Sequence, residues 1–265
     1  MNNGRENPLV AKRSQFAPLS HKDIGLLEAL CLPEGRLRAG VNIVVEGEIP
    51  RSLFVVARGM ACRYRLMPDG RRQILTILLP GDLFGLARFL LHPMDHFVAA
   101  MGPTRIAAIG REAVIDIIAN RPRIGAALWW SVMQEEAMLR ERIVALGRRS
   151  ARGRVAYLLC EIVWRQRAVS IAEDHAVRLP FTQTDLGDML GLTSVHTNRV
   201  LQGFRRDELI TLDRRRLTLL DIERLQAIAG LTPDYLKLNS TPPDILRYLD
   251  ALERDRAGVG RPESA

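Results

Sequence analysis

Between Thr182 and Gln202 the chain carries hydroxyl, amide, imidazole and guanidinium side chains at spacings that place them on one surface of two short helices. Thr182 can cap a helix over Gln183–Leu190 whose third residue, Asp185, suits the positive end of the helix dipole. Leu186 and Leu190 then share a face. Gly187 permits close approach of a second helix, Gly191 supplies the left-handed residue of a tight turn, and Leu192 fills the corner. Thr193 caps the second helix, which turns Thr197, Val200 and Leu201 inward and Ser194, Val195, Asn198 and Arg199 outward. That outward set has the chemistry of base-edge readout. Arg199 can donate two bonds to a guanine, Asn198 can pair doubly with an adenine, and Val195 can touch a thymine methyl. Thr182, Gln183, Thr193, His196 and Gln202 fall where phosphate contacts form. Taken singly, Arg199 or Asn198 reads as a solvated polar residue. The small residue, the glycine turn and the apolar corner together predict a helix-turn-helix, with the second helix in the major groove.

The segment after the second helix has the form of a wing. Glu208-Leu209-Ile210 leads into a hairpin, Thr211–Leu212 and Leu217–Leu219, that turns through Asp213–Arg216. Arg214, Arg215 and Arg216 at its tip are placed to meet phosphate. The formal charge of the whole chain is +8, and from Gly147 to Leu217 there are 13 arginines against eight acids. The excess lies where the duplex would lie, which points to double-stranded DNA as the anionic partner.

Other chemistry finds little support. His92, Asp95 and His96 are the only histidine–carboxylate cluster in the strand-rich part of the chain. A cupin-like metal-dependent enzyme wants a His-x-His pair and a later Glu held on strands, whereas these histidines flank Pro93 in a loop and read as surface residues. Cys31, Cys62 and Cys160 are far apart, odd in number and without metal-ligand spacing, which predicts reduced thiols in the cytoplasm. There is no nucleophile–base arrangement and no phosphate-cradling glycine loop. An enzyme is therefore not expected, nor is a metal or a resident cofactor. A signalling scaffold would leave the two-helix motif without a purpose. No stretch approaches the roughly 18 apolar residues of a membrane span, and the charged N-terminus lacks the apolar run of a secretion leader.

The elements that must position this surface are read from texture. Residues 1–19 read as a mobile tail. Ser20 and Asp23 resemble a capping box before a short helix. From Gly35 to about Gly110, Val/Ile/Leu-rich runs such as Leu53–Ala57, Met60–Leu66 and Gln73–Leu79 alternate with turn signals, including Pro68-Asp69-Gly70 and Pro80-Gly81-Asp82. This spacing predicts an antiparallel sandwich or barrel. A short helix ends near Pro122, and a long one runs from about Arg123 to Leu146. Trp129, Val132, Leu139, Ile143 and Leu146 line a near-heptad seam with Glu136 as its polar exception, which predicts a homodimer. A second stripe, Met133, Ala137 and Val144, is expected to face the sheet domain. Another helix spans about 150–167, and residues from about Asp255 read as disordered.

With these residues in view, the sequence resembles the Crp/Fnr family of bacterial transcription regulators over roughly Leu19 to Leu231. The carriers are FTQTDLGDMLGLTSVHTNRVLQGFRRDELI, LDRRRLTLLDIERL and, nearer the N-terminus, VVEGEIPRSLFVVARGMACRYRLMPDGRRQILTILLPGDLFGL. The resemblance implies an α+β protein with an N-terminal antiparallel, jelly-roll-like β-roll over 20–120 and a dimerisation helix over 121–148. It further implies a winged helix-turn-helix over 149–232 and a C-terminal extension over 233–265. It also implies a homodimer on an inverted-repeat promoter site, activating or repressing, with RNA polymerase as a candidate partner. The candidate effector pocket is Gly81, Phe84, Gly85, Leu86 and His96. Relatives that bind cyclic AMP carry a Glu where this chain has Leu86, and an Arg-Ser pair where it reads Met94-Asp95-His96-Phe97. A buried phosphate without a paired Arg is costly, so cyclic AMP is not expected in the usual mode. The N-terminal cysteine cluster of the iron–sulfur members is missing, since the first cysteine is Cys31. Val195 stands where well-known members place a Glu, so the half-site should differ from theirs.

Overall fold

Turn residues divide the N-terminal half into strands as the pattern requires. Gly59 and Gly70 both take positive φ, and Met67 and Arg71 close the hairpin around Pro68-Asp69-Gly70 with a 2.7 Å bond. The structure, a computed structural model, describes residues 7–31, 34–86, 93–169, 175–238 and 241–259. Among these, helices α1 (Pro8–Ser14) and α2 (His21–Leu30) precede strands β1 (Glu34–Leu37), β2 (Asn42–Val44), β3 (Ser52–Arg58), β4 (Ala61–Leu66), β5 (Arg72–Leu78), β6 (Leu83–Phe84), β7 (Phe97–Ala100) and β8 (Thr104–Gly110). The strands form two four-stranded sheets, β1-β8-β3-β6 and β2-β7-β4-β5, with antiparallel pairing throughout. Val44, Val56, Ala61, Leu78, Phe84, Val98 and Ile106 fill the space between them.

Helices α3 (Arg111–Asn120) and α4 (Pro122–Arg148) come next, then α5 (Ala151–Arg167), β9 (Ala176–Arg178), α6 (Gln183–Leu190), α7 (Ser194–Arg206), β10 (Ile210–Asp213), β11 (Arg216–Leu219) and α8 (Ile222–Ala229). A short 3-10 turn at Pro233–Leu236 and α9 (Pro243–Val259) complete the order. One apolar cluster runs without a break from Tyr64, Ile74 and Ile77 of the roll, through Met138 and Ala145 of α4, to Leu186, Leu201, Phe204 and Leu217.

Three expectations are corrected. Over residues 7–19 the segment read as a mobile tail holds α1, capped by Asn7 Oδ1 on the Leu9 N–H at 2.9 Å, with Pro8 at its first position. Leu9, Val10, Ala11, Lys12 and Arg13 are all buried. Two buried cations in a seven-residue helix give no apolar period, which is why the segment looks like a polar tail. The disorder expected from Asp255 is corrected as far as Val259, which ends α9; residues 260–265 lie outside the described residues. The second stripe of the long helix is also different. Met133 and Val144 are 46% and 45% exposed, and the inward face is Ile124, Ala127, Leu128, Gln134, Ala137, Met138, Arg142 and Ala145.

Candidate nucleic-acid interface

Thr182 begins α6 with a full capping box: its hydroxyl accepts from the Asp185 N–H at 3.2 Å, and the Asp185 carboxylate accepts from the Thr182 N–H at 2.7 Å. Burial alone would push Asp185 up; the bonds from Thr182 and the Arg72 guanidinium outweigh it and hold the carboxyl below its usual range. Gly191 ends α6 at φ 62°, ψ 40°, the left-handed cap that glycine adopts without strain. A Cβ at Gly187 would lie 2.5 Å from the Leu192 carbonyl oxygen, so the corner closes only over glycine. Thr193 caps α7 by accepting from the His196 N–H at 3.1 Å.

Thr197, Leu201 and Phe204 anchor α7 beneath. Ser194, Val195, His196, Arg199 and Gln202 are exposed on its outer side, Val195 by 68%. Asn198 is half-buried and accepts from Gln183 Nε2 at 3.3 Å, so one side chain expected on phosphate and one expected on a base already touch. The wing is a two-residue turn between β10 and β11 in which Arg214 and Arg215 both take positive φ, 43° and 69°. Asn-Gly is the sequence this turn prefers; here two arginines hold it. Arg214, Arg215 and Arg216 are exposed, and Arg215 Nη1 also donates to the Pro180 carbonyl at 3.2 Å.

Two neighbours of this surface escaped the sequence reading. Strand β9 adds a third strand to the wing sheet and sets Arg178 beside Arg216; the short Ala176-Val177-Arg178-Leu179 alternation was its signal. Arg72 of β5 reaches across from the roll to α6, with Nε 2.9 Å from Asp188 and Nη2 2.5 Å from Asp185, while Gln73 Nε2 donates to the Asp188 carbonyl at 2.8 Å. These bonds neutralise the two acids of α6 and fix the reading unit on the roll. No local pattern announces a contact between residues 113 positions apart.

On α4, Trp129, Val132, Leu139 and Ile143 are exposed, Trp129 by 73% and Ile143 by 71%. Leu146 is half-buried, and Glu136 is exposed and paired with Arg140.

The effector candidates separate. Gly85, Leu86 and His96 line a cavity of about 360 Å³ between the roll and α4. Gly81 and Phe84 do not. Phe84 is fully buried and stacked on Phe54 at 5.1 Å, because its strand faces the sandwich core. Gly81 sits beneath α1, where a Cβ would strike the Pro8 carbonyl. The cavity also has Arg63, Thr76, Ser131 and Glu135 on its wall, and Arg63 forms an ion pair with Glu135 of α4. Burial pulls the Arg63 guanidinium down to about 10 despite nearby Asp82 and Asp95. His96 Nδ1 is 2.7 Å from Asp95; His92 lies outside the described residues. Among the described residues no group of three or more His, Cys, Asp or Glu could hold a metal ion, and no helix is long and apolar enough to cross a membrane.

Beneath the cavity a buried ionic chain joins five elements. Asp82 pairs with Lys12 of α1 and Arg165 of α5. Arg165 Nη1 donates to Glu161 at 3.2 Å, and Glu161 accepts from Tyr157 at 2.5 Å, from Tyr235 at 3.0 Å and from Arg142 of α4 at 3.5 Å. Burial lowers the Lys12 ammonium to about 8. Burial would raise Asp82, but Arg165 and Lys12 prevail and hold it at about 2. The three cysteines are buried and reduced, and burial pushes the Cys62 and Cys160 thiols up to about 12.

A paired-sheet roll, a long helix and a capped two-helix reader with a wing define a transcription regulator that binds DNA. Residues 34–121 match the cyclic nucleotide-binding domain and 153–228 the Crp-like helix-turn-helix domain. The chain belongs to the Crp/Fnr family of DNA-binding transcription regulators. It is 32% identical to the nitrogen fixation regulation protein FixK of Bradyrhizobium diazoefficiens over 194 residues, 72% of this chain and 80% of that one. It is 29% identical to the transcriptional activator protein FnrL of Cereibacter sphaeroides over 238 residues, 85% of this chain and 95% of that one. The solved structure of FixK2 from Bradyrhizobium japonicum superposes with a TM-score of 0.68 at 26% identity, covering 76% of this chain and 99% of that one.

Proposed function

We propose that this regulator works as a cytoplasmic homodimer, reads an inverted-repeat duplex through α7, and catalyses no reaction. The observation that carries the reading is the division of α7: Thr197, Leu201 and Phe204 are sealed in the core while Ser194, Val195 and Arg199 stand in solvent on a helix capped at its reading end. In this reading Arg199, Asn198, Val195 and Ser194 meet base edges. Thr182, Gln183, Thr193, His196, Gln202 and Arg214–Arg216 meet phosphates. The seam Trp129, Val132, Glu136, Leu139, Ile143 and Leu146 pairs two copies. Residues 20–120 act as the sensor, 121–148 as the dimer element and 149–232 as the reader. RNA polymerase is the partner at the promoter.

The cavity beside α4 is the effector site of this reading, and it does not take cyclic AMP in the usual mode. Its buried guanidinium, Arg63, is already matched by Glu135, and Leu86 offers no acceptor for a ribose hydroxyl. Calorimetry showing micromolar cyclic AMP binding would contradict that part. The whole reading is tested by selecting bound duplexes from a random pool at a fixed salt concentration. The expected result is an inverted repeat with half-site centres about one helical turn apart. A single unpaired half-site, or no enrichment with and without cell extract, would contradict it.

A further inference from the structure

Positive charge is left over where α1 seats against the roll. Lys12, Arg13, Arg142 and Arg165 are buried, and among the described residues the ionic chain sets only Asp82 and Glu161 against them. Arg63 and Glu135, just above, cancel as a pair. The surplus falls most heavily on Arg13, which is fully buried and has no carboxylate partner among the described residues. Its guanidinium donates to backbone carbonyls instead, Nη2 to Gly81 at 3.1 Å and Nη1 to Ala127 at 3.5 Å. Arg13 Nε and Arg165 Nε have no hydrogen-bond partner among the described residues. Buried cations without counter-charge are costly, and burial lowers the Lys12 ammonium to about 8 and the Arg13 guanidinium to about 10.

A small cavity of about 20 Å³ lies among these groups, bordered by Lys12, Arg13, Thr76, Asp82, Gln134 and Arg165. Its volume suits a single group about the size of a water molecule. It shares Thr76, Leu83, Ser131 and Glu135 with the larger cavity beside α4, which gives a small solute a way in. The carboxylates on its wall are already engaged: Asp82 accepts from Lys12, Arg165 and the Leu79 N–H, and Glu135 pairs with Arg63. What remains is N–H donors and positive charge. That surface suits a group that accepts without donating, which water does not.

We propose that this cavity binds one monatomic anion, chloride, between Lys12, Arg13 and Arg165. The inference goes beyond the DNA-binding reading and does not depend on it. One negative charge halves the surplus left by four cations and two acids, and it gives the orphaned donors an acceptor. Size excludes phosphate, sulfate and organic acids from a space that holds one water-sized group. The ion meets α1 through Lys12 and Arg13, β5 through Thr76, α4 through Gln134 and α5 through Arg165. It therefore ties the N-terminal helix to the roll and to both long helices, and the seat of α1 depends on halide.

The test uses the full chain in sodium chloride, bromide or gluconate, each at ~0.1 M so that screening is equal. Crystals grown in bromide are expected to give an anomalous peak in contact with the Arg13 and Arg165 guanidinium groups. Chloride and bromide are expected to raise the wild-type melting temperature by about 2–4 °C over gluconate, the shift of a ligand at several times its Kd. Ser131→Asp sets a carboxylate on the wall of the cavity in place of the halide. It should melt in gluconate as high as the wild type does in chloride, and show no halide shift. Arg13→Met should also lose the shift, whatever its own stability. No bromide peak, equal wild-type melting in all three salts, or a shift retained by both variants would overturn the proposal. A peak without a melting shift would mark an adventitious ion only, and would overturn it too.

Discussion

At the scale of single residues, α7 is divided between side chains sealed in the core and side chains left in solvent. Thr197 is fully buried under α7, and among the described residues its hydroxyl has no hydrogen-bond partner. An unpaired buried hydroxyl costs on the order of 1 kcal/mol or more. Thr197→Val keeps the shape and removes the orphan, so thermal unfolding should show equal or higher stability with DNA affinity unchanged. The residues of the reading face were legible because capping and turn chemistry are local: Thr182, Asp185, Gly187, Gly191 and Thr193 each leave a mark within a few positions. The effector pocket was not, because which way a strand residue faces depends on its sheet partners. Phe84 and Gly81 share the GDLF turn with the cavity yet belong to the sandwich core and to the seat of α1.

At the scale of elements, strain and buried charge carry the predictions. The wing turn holds two arginines in the left-handed region, each costing about 1 kcal/mol. Replacing Arg214 by Asn and Arg215 by Gly should raise the melting temperature by a few degrees. The same double change should flatten the salt dependence of DNA binding by about two units. Helix α1 makes a different statement. Lys12 titrates near 8 when folded against 10.5 in the unfolded chain, so between those values the unfolded chain binds more protons. Stability from this group is therefore fully present above 10.5 and is lost as pH falls to 8, a change on the order of 3 kcal/mol. Denaturation at pH 8 and at pH 10 should show the wild type gaining stability with pH; Lys12→Met should lack that gain. A flat wild-type profile would contradict the burial of Lys12 beside Asp82. The sequence concealed α1 because its partners, Asp82, Gly81 and Trp130, lie about 70 to 120 residues away.

At the scale of the whole molecule, α4 stands between sensor and reader with one face in each core and the other in solvent. Its inner side carries Glu135 against Arg63, Gln134 Nε2 donating to the Leu236 carbonyl at 2.6 Å, and Arg142 in the ionic chain. Its outer side carries Trp129 and Ile143. Large apolar residues left exposed along one helix call for a second helix. Ile143→Glu should shift sedimentation from dimer to monomer and lower affinity for an inverted repeat by at least ten-fold, with monomer stability unchanged. An undisturbed dimer would move the interface elsewhere. The C-terminal extension closes against the same helix through Arg123 with Asp250 and Glu253, which ties α9 to the folded body.

Base reading by α7 is tested most directly at Arg199. Duplex selection should be carried out in parallel with the wild type and with Arg199→Ala at the same salt. The expected outcome is loss of preference at one symmetric pair of positions, worth about 1–3 kcal/mol per half-site, with all other positions retained. An unchanged selected sequence, or a uniform loss across every position, would show that α7 does not enter the groove as described.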